Sequence, residues 1–154
     1  MQAIRRQEQR LAAQVGRYAA MVQLRFTSKA LRNPADPAPA AELAAVIRAM
    51  KPETVMTHNF ADKHNTHLGT ALNVVRAIRL LPKADRPKRL LGGEIWRSLD
   101  WVSDQEKVRL DAGGRDALAA ALMGVFDSQI AGGKRYDLAT FGRRRANATY
   151  GDSH

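Results

Sequence analysis

Three of the four histidines in the chain, His58, His64 and His67, fall within ten residues, "HNFADKHNTH" at 58 to 67, beside Asp62. Imidazole nitrogens and a carboxylate are the donors that borderline divalent metals prefer. His64 and His67 stand three apart, so on a helix their rings share a face. H-x-x-H offers two nitrogens, whereas a catalytic zinc takes three protein ligands and keeps one position for water. Asp62 can serve as a ligand, as the orienter of an imidazole, or as a loop cap. The plainer alternative is a set of capping and surface histidines that hold no metal.

The flanking sequence places this window. "ETVMT" (53 to 57) reads as a short buried strand, and Leu68, Ala71, Leu72, Val75 and Ile78 trace a helical stripe that closes at Leu81-Pro82. The histidines therefore sit between the end of a strand and the start of a helix, where α/β folds bind their ligands. The partial positive charge of a helix N-terminus favours neutral imidazoles and stabilises a developing oxyanion there.

Elsewhere the pattern alternates strands and helices. A helix is expected over 2 to 16, with Ile4, Leu11, Val15 and Tyr18 on one face. "MVQLRFTS" alternates as a half-buried strand through Val22, Leu24 and Phe26. "NPADPAP" is a loop, followed by a helix through Leu43, Val46, Ile47 and Met50 that stops before Pro52. "RLLGGEIW" reads as a strand in which Gly92-Gly93 marks a bulge or a close backbone approach. "KVRLDA" reads as one more short strand, and a helix spans 115 to 130 up to Gly132-Gly133. The expected fold is α/β, Rossmann-like, with a mostly parallel sheet flanked by helices.

Composition narrows the functions. The chain has 154 residues, no cysteine and a net charge of +10. Thiolate metal sites and disulfides are excluded, which suits a cytoplasmic location. No signal peptide or membrane-spanning stretch is visible. The positive charge favours anionic partners. "GRRRANATY", with Tyr136, Phe141 and Tyr150 for stacking, makes a basic nucleic-acid-binding module the alternative function. A solvated basic surface, with Arg143, Arg144 and Arg145 on a turn, is preferred to it. No nucleophile elbow, P-loop or dinucleotide fingerprint occurs. In "GGEIWRSLDW", Glu94 and Asp100 flank Trp96, the composition of a sugar-binding wall, although Trp96 and Trp101 read equally well as packing residues.

"TVMTHNFADKHNTHLGTALNVVRAI" resembles the second motif of the LmbE-like, or PIG-L, zinc-dependent N-deacetylases, in which a strand leads through D-x-H-P-D-H into a helix. "IRRQEQRLAAQVGRY" resembles the R-x-x-E helix of that family, and "SQIAGGKRYDLATFGRRRANATYGDSH" the end of one bacterial branch. The resemblance implies a single deacetylase domain over 1 to 154 and the removal of acetyl groups from N-acetylglucosamine-type sugar conjugates. It implies Zn2+ or another divalent metal, with His67 as ligand. His64 would stabilise the oxyanion and protonate the leaving amine, and Asp62 would lie at the pocket edge. Arg5, from the R-x-x-E helix that Glu8 completes, would sit near the substrate with Glu94 and Trp96. No role is implied for His58.

Two departures accompany the likeness. Asn65-Thr66 replaces Pro-Asp between the histidines, so a carboxylate able to orient an imidazole is gone. The family's A-H-P-D-D-E motif, which supplies two ligands and the general base, has no counterpart in residues 1 to 57. The expectation is therefore an N-terminally incomplete domain, whose activity in this form is left open, or a non-catalytic homologue. The expected partner is a small-molecule N-acetylated sugar, and homo-oligomerisation is left open.

Overall fold

The structure, a computed structural model, describes residues 1 to 94 and 102 to 149. Two compact units emerge, Leu24–Ser98 and the combination of Met1–Gln23 with Leu99–His154. Each is described by itself.

The Leu24–Ser98 unit holds the histidine window. Its elements are α2 (Ser28–Leu31), α3 (Ala38–Met50), β1 (Thr54–His58), α4 (Asn65–Leu80) and β2 (Arg89–Gly93), α1 belonging to the other unit. β1 and β2 pair in parallel, in register from Thr54 with Arg89 to His58 with Gly93. A parallel pair needs a crossover, and α4 provides it, so the unit is built on a β–α–β motif. Alanine-rich α3 ends at Lys51, whose φ of 45° is left-handed. The following Pro52 forbids a further turn, as its position in the sequence implies.

α3 and α4 meet over Ala44, Ile47, Ala77 and Leu81, all buried, with Leu43 and Ile78 packed against them. Burial of one such leucine contributes about 1.5–3 kcal/mol. The buried face of α4 is not the expected stripe. Gly69, Ala71, Asn73, Val74 and Ala77 face inward, whereas Leu72 is 52% exposed. Small residues are needed because the backbone of α2 runs close by. A Cβ on Gly69 would stand 2.4 Å from the Leu31 carbonyl oxygen, and Asn73 Nδ2 donates to that same oxygen at 3.1 Å. Gly69→Ala is accordingly expected to lower stability by about 1–3 kcal/mol through overpacking. A urea unfolding midpoint equal to that of the wild type would contradict this packing.

The other unit comprises α1 (Gln2–Val15), α5 (Asp116–Gly124), α6 (Asp127–Gln129) and α7 (Tyr136–Thr149). α1 forms as expected but buries a different face. Ile4, Leu11, Val15 and Tyr18 are exposed, while Glu8 and Ala12 are buried. The Glu8 carboxylate accepts from Ser128 N at 2.7 Å and from Ser128 Oγ at 2.8 Å, which satisfies it where an apolar stripe was expected. The predicted helix over 115 to 130 breaks at Val125-Phe126, and the chain turns through Gly133 at φ 87°.

Three further expectations are corrected. Residues 21 to 27 and 107 to 112 form no strand, and the arginine run lies in helix α7 instead of a turn. Alternation marks which side of a segment is apolar, but a strand exists only where a neighbour completes its hydrogen bonds. Among the described residues the fold is thus mixed α/β, with a two-stranded parallel sheet flanked by helices. No described helix is long and apolar enough to cross a membrane.

Candidate metal centre

β1 ends at His58, and the chain then turns tightly. Asn59 fixes the turn: its N–H donates to Gly93 O at 2.9 Å, and its Oδ1 accepts from Ala61 N at 2.8 Å. A Cβ on Gly92 would come within 3.2 Å of Asn59, so this glycine permits a close approach, one of the two readings of the Gly-Gly pair. The turn closes with Asp62 N donating to Asn59 O at 3.1 Å, which brings Asp62 back beside His58.

Asp62 is the hub of the site. It is 5% exposed, and its Oδ1 accepts from His64 N at 2.8 Å. Its Oδ2 lies 2.7 Å from His67 Nδ1 and 4.0 Å from His58 Nδ1. The His58 and His67 rings stack with centroids 4.0 Å apart and planes within 2°, and the His64 ring lies 4.4 Å from that of His67. His64 is the N-cap of α4, its Nδ1 accepting from Thr66 N at 3.3 Å.

These contacts fix protonation. Burial raises the affinity of Asp62 for a proton, but the His64 N–H, the hydrogen bond from His67 and the fields of His67 and His58 outweigh it. Its pKa therefore lies below the ordinary carboxylate value. An ionised Asp62 only accepts, so His67 donates through Nδ1–H and keeps the Nε2 lone pair for a metal. His64 accepts at Nδ1, so as a neutral ring it carries its proton on Nε2.

Burial, reinforced by His67 and then His64 and opposed by Asp62, holds the His58 pKa below the ordinary imidazole value. The sign follows for both groups. Each folded pKa is depressed, so each contributes stability above its unfolded value and loses it as pH falls through its folded value. The His58 ring in metal-free protein is expected to titrate, by NMR, with a midpoint below about 6.5. A midpoint at or above that value would contradict the stacked, part-buried arrangement.

Ligand atoms of His58, Asp62 and His67 all lie within 4.8 Å of one another, so this His-Asp-His group could hold a metal ion. Two imidazoles and a carboxylate suit zinc or another divalent transition metal and leave a coordination position open. The donor chemistry and the proximity fit such an ion, but a carboxylate that accepts from His67 Nδ1–H does not also reach an ion on Nε2, and the parallel His58 and His67 rings must turn for both to face one ion.

The structure brings His64, His67 and Asp62 together as the spacing implied, and it adds His58, to which the sequence reading gave no role. The available signal was a histidine ending a strand four residues before a carboxylate. Asp62 is buried, with its Oδ2 against the Nδ1 edges of His67 and His58, where the sequence reading put it at a pocket edge. Glu94 directly follows Gly93, the partner of His58 across the sheet. Trp96, Asp100 and Trp101 lie outside the described residues. Arg5 is exposed on α1, in the other unit. In α7, Arg144 donates to the carbonyl of Ala112 and lies 3.9 Å from Asp116. No family model, curated protein or solved structure matches this chain.

Proposed function

We propose that His58, Asp62 and His67 hold one divalent ion, zinc by preference, and that the protein is a metal-dependent amide hydrolase. Its substrate class is an N-acetylglucosamine-type sugar conjugate, from which it removes the acetyl group in the manner of the LmbE-like deacetylases it resembles. That reading carries with it a Rossmann-like fold and a cytoplasmic location, the latter in keeping with a chain free of cysteine. The observation that carries it is the convergence of the three ligand atoms at the carboxyl end of β1.

When bound, the ion supplies Lewis acidity toward the acetyl carbonyl. The side chains divide the other tasks. Asp62 either ligates the ion directly or keeps His67 in the tautomer that presents Nε2 to it. His64, the α4 cap, offers Nε2–H to an oxyanion, and as an imidazolium, which gives up the cap bond from Thr66 N, it would donate a proton to the departing amine. Glu94, which follows the Gly93 partner of His58, is assigned to a sugar hydroxyl by the resemblance.

Release of free amine from an aryl N-acetylglucosaminide is the test. The zinc-loaded protein is expected to release it. His64→Ala is expected to lower the rate by about 10²–10⁴-fold, the usual contribution of a general acid, while zinc content is unchanged. Zinc retention without any amine release by the wild type would contradict the hydrolase assignment and spare the metal site.

A further inference from the structure

The three candidate ligands hang from different parts of the chain. His58 closes β1, His67 lies in the first turn of α4, and Asp62 falls between them in residues 59 to 64, which belong to neither element. Asp62 is tied to α4 on one side, its Oδ1 accepting from His64 N at 2.8 Å. On the other side it is tied to the sheet through Asn59, whose carbonyl accepts from Asp62 N at 3.1 Å. How closely Asp62 and His58 approach His67 therefore depends on how firmly Asn59 is held.

Its anchor is the far strand. The Asn59 N–H donates to Gly93 O at 2.9 Å, and Nδ2 reaches Gly92 O, 33 residues on in sequence, at 3.4 Å. Oδ1 accepts from Ala61 N at 2.8 Å, an Asx turn that starts the return of the chain toward Asp62. Truncation to alanine spares the backbone bonds and removes both side-chain ones. The two glycines of β2 differ in what they tolerate. A Cβ on Gly92 would lie 3.2 Å from both Cα and Nδ2 of Asn59, whereas the nearest described neighbour of a Cβ on Gly93 is Thr57 O at 3.8 Å. A side chain at 92 must displace Asn59, and one at 93 need not.

We propose that Asn59, seated against Gly92, is a positioning residue of the metal centre, keeping His58 and Asp62 within reach of the ion that His67 binds. This role rests on the reading of His58, Asp62 and His67 as that centre. Asn59 acts through the turn and not as a ligand. Groups that orient metal ligands without touching the ion change affinity by about 10–100-fold when removed. A side chain that merely stabilised the turn would behave differently, because affinity falls only with the fraction of molecules that stay competent, and a folded chain keeps that fraction near one.

Two measurements on the full chain test it. In metal-free protein at a fixed alkaline pH, the stacked His58 and His67 rings should shift each other's proton resonances upfield. Asn59→Ala and Gly92→Ala should return those resonances toward free-imidazole values, and Gly93→Ala should leave them in place. Zinc affinity, by competition against a chromophoric chelator, should fall about tenfold in Asn59→Ala and Gly92→Ala and hold its wild-type value in Gly93→Ala. Asn59→Ser, which keeps an oxygen for Ala61 N, should recover part of the loss. Asn59 is half-buried in a turn, so its alanine variant decides the matter even where Gly92→Ala fails to fold. Wild-type ring resonances or wild-type zinc affinity in Asn59→Ala would overturn the positioning role. No saturable zinc binding by the wild type, with the ring shifts still lost in Asn59→Ala, would instead remove the metal reading and leave Asn59 as the residue that sets the histidine geometry.

Discussion

Zinc retention is expected to be lost in the His67→Ala protein. His67 contributes the Nε2 lone pair that Asp62 prepares, and its removal leaves only His58 and Asp62 of the three candidate ligands. Loss of an outer partner of a metal ligand costs 10–100-fold in affinity, and loss of the ligand itself should cost more. The His67 side chain is 25% exposed, so its truncation opens no sealed cavity and the fold should persist. His64→Ala is the matched control. It removes the α4 cap, at a cost of about 0.5–2 kcal/mol, but leaves the three-ligand group complete. Dialysis followed by elemental analysis should therefore find zinc in His64→Ala and none in His67→Ala. Comparable zinc in both would remove His67 from the site.

Asp62→Asn should weaken zinc binding by about 10–100-fold with little change in shape, if Asp62 acts mainly through His67. An asparagine oxygen can still accept from His64 N, which orients the amide nitrogen toward His67 Nδ1. That nitrogen is a donor, so His67 must accept at Nδ1 and carry its proton on Nε2, where the metal would bind. The change reverses one tautomer and removes one negative charge. A direct ligand role for Asp62 makes the loss larger, so both modes lower affinity. Competition against a chromophoric chelator measures it, and an unchanged affinity would show that Asp62 neither ligates nor orients.

The window itself was legible because its residue types announce their chemistry and its neighbours announce their period. The β1 and α4 segments formed where the apolar pattern put them, and parallel pairing followed from the strand–helix–strand order. His58 was missed for a geometric reason. Its role depends on the return of the chain through the Asn59 turn, which is set by backbone contacts with Gly92 and Gly93, thirty-odd residues away in sequence. The inward faces of α1 and α4 were misjudged for a related reason. Large apolar residues usually mark the buried side of a helix. Here Glu8 is buried by its two bonds to Ser128, and Asn73 and Gly69 by the close passage of α2. Neither partner could be identified from local periodicity. The expected strands at 22 to 27 and 107 to 112 failed because alternation names a face and not a neighbour.

Titration of the metal-free wild-type chain with zinc, followed by the imidazole resonances, tests the central claim most directly. One zinc per chain is expected, with the His58 and His67 signals moving together and saturating at one equivalent. His58→Ala and His67→Ala should each abolish that saturable step. Binding that does not saturate at one equivalent, or a saturable step that persists in both variants, would contradict a metal centre at His58, Asp62 and His67.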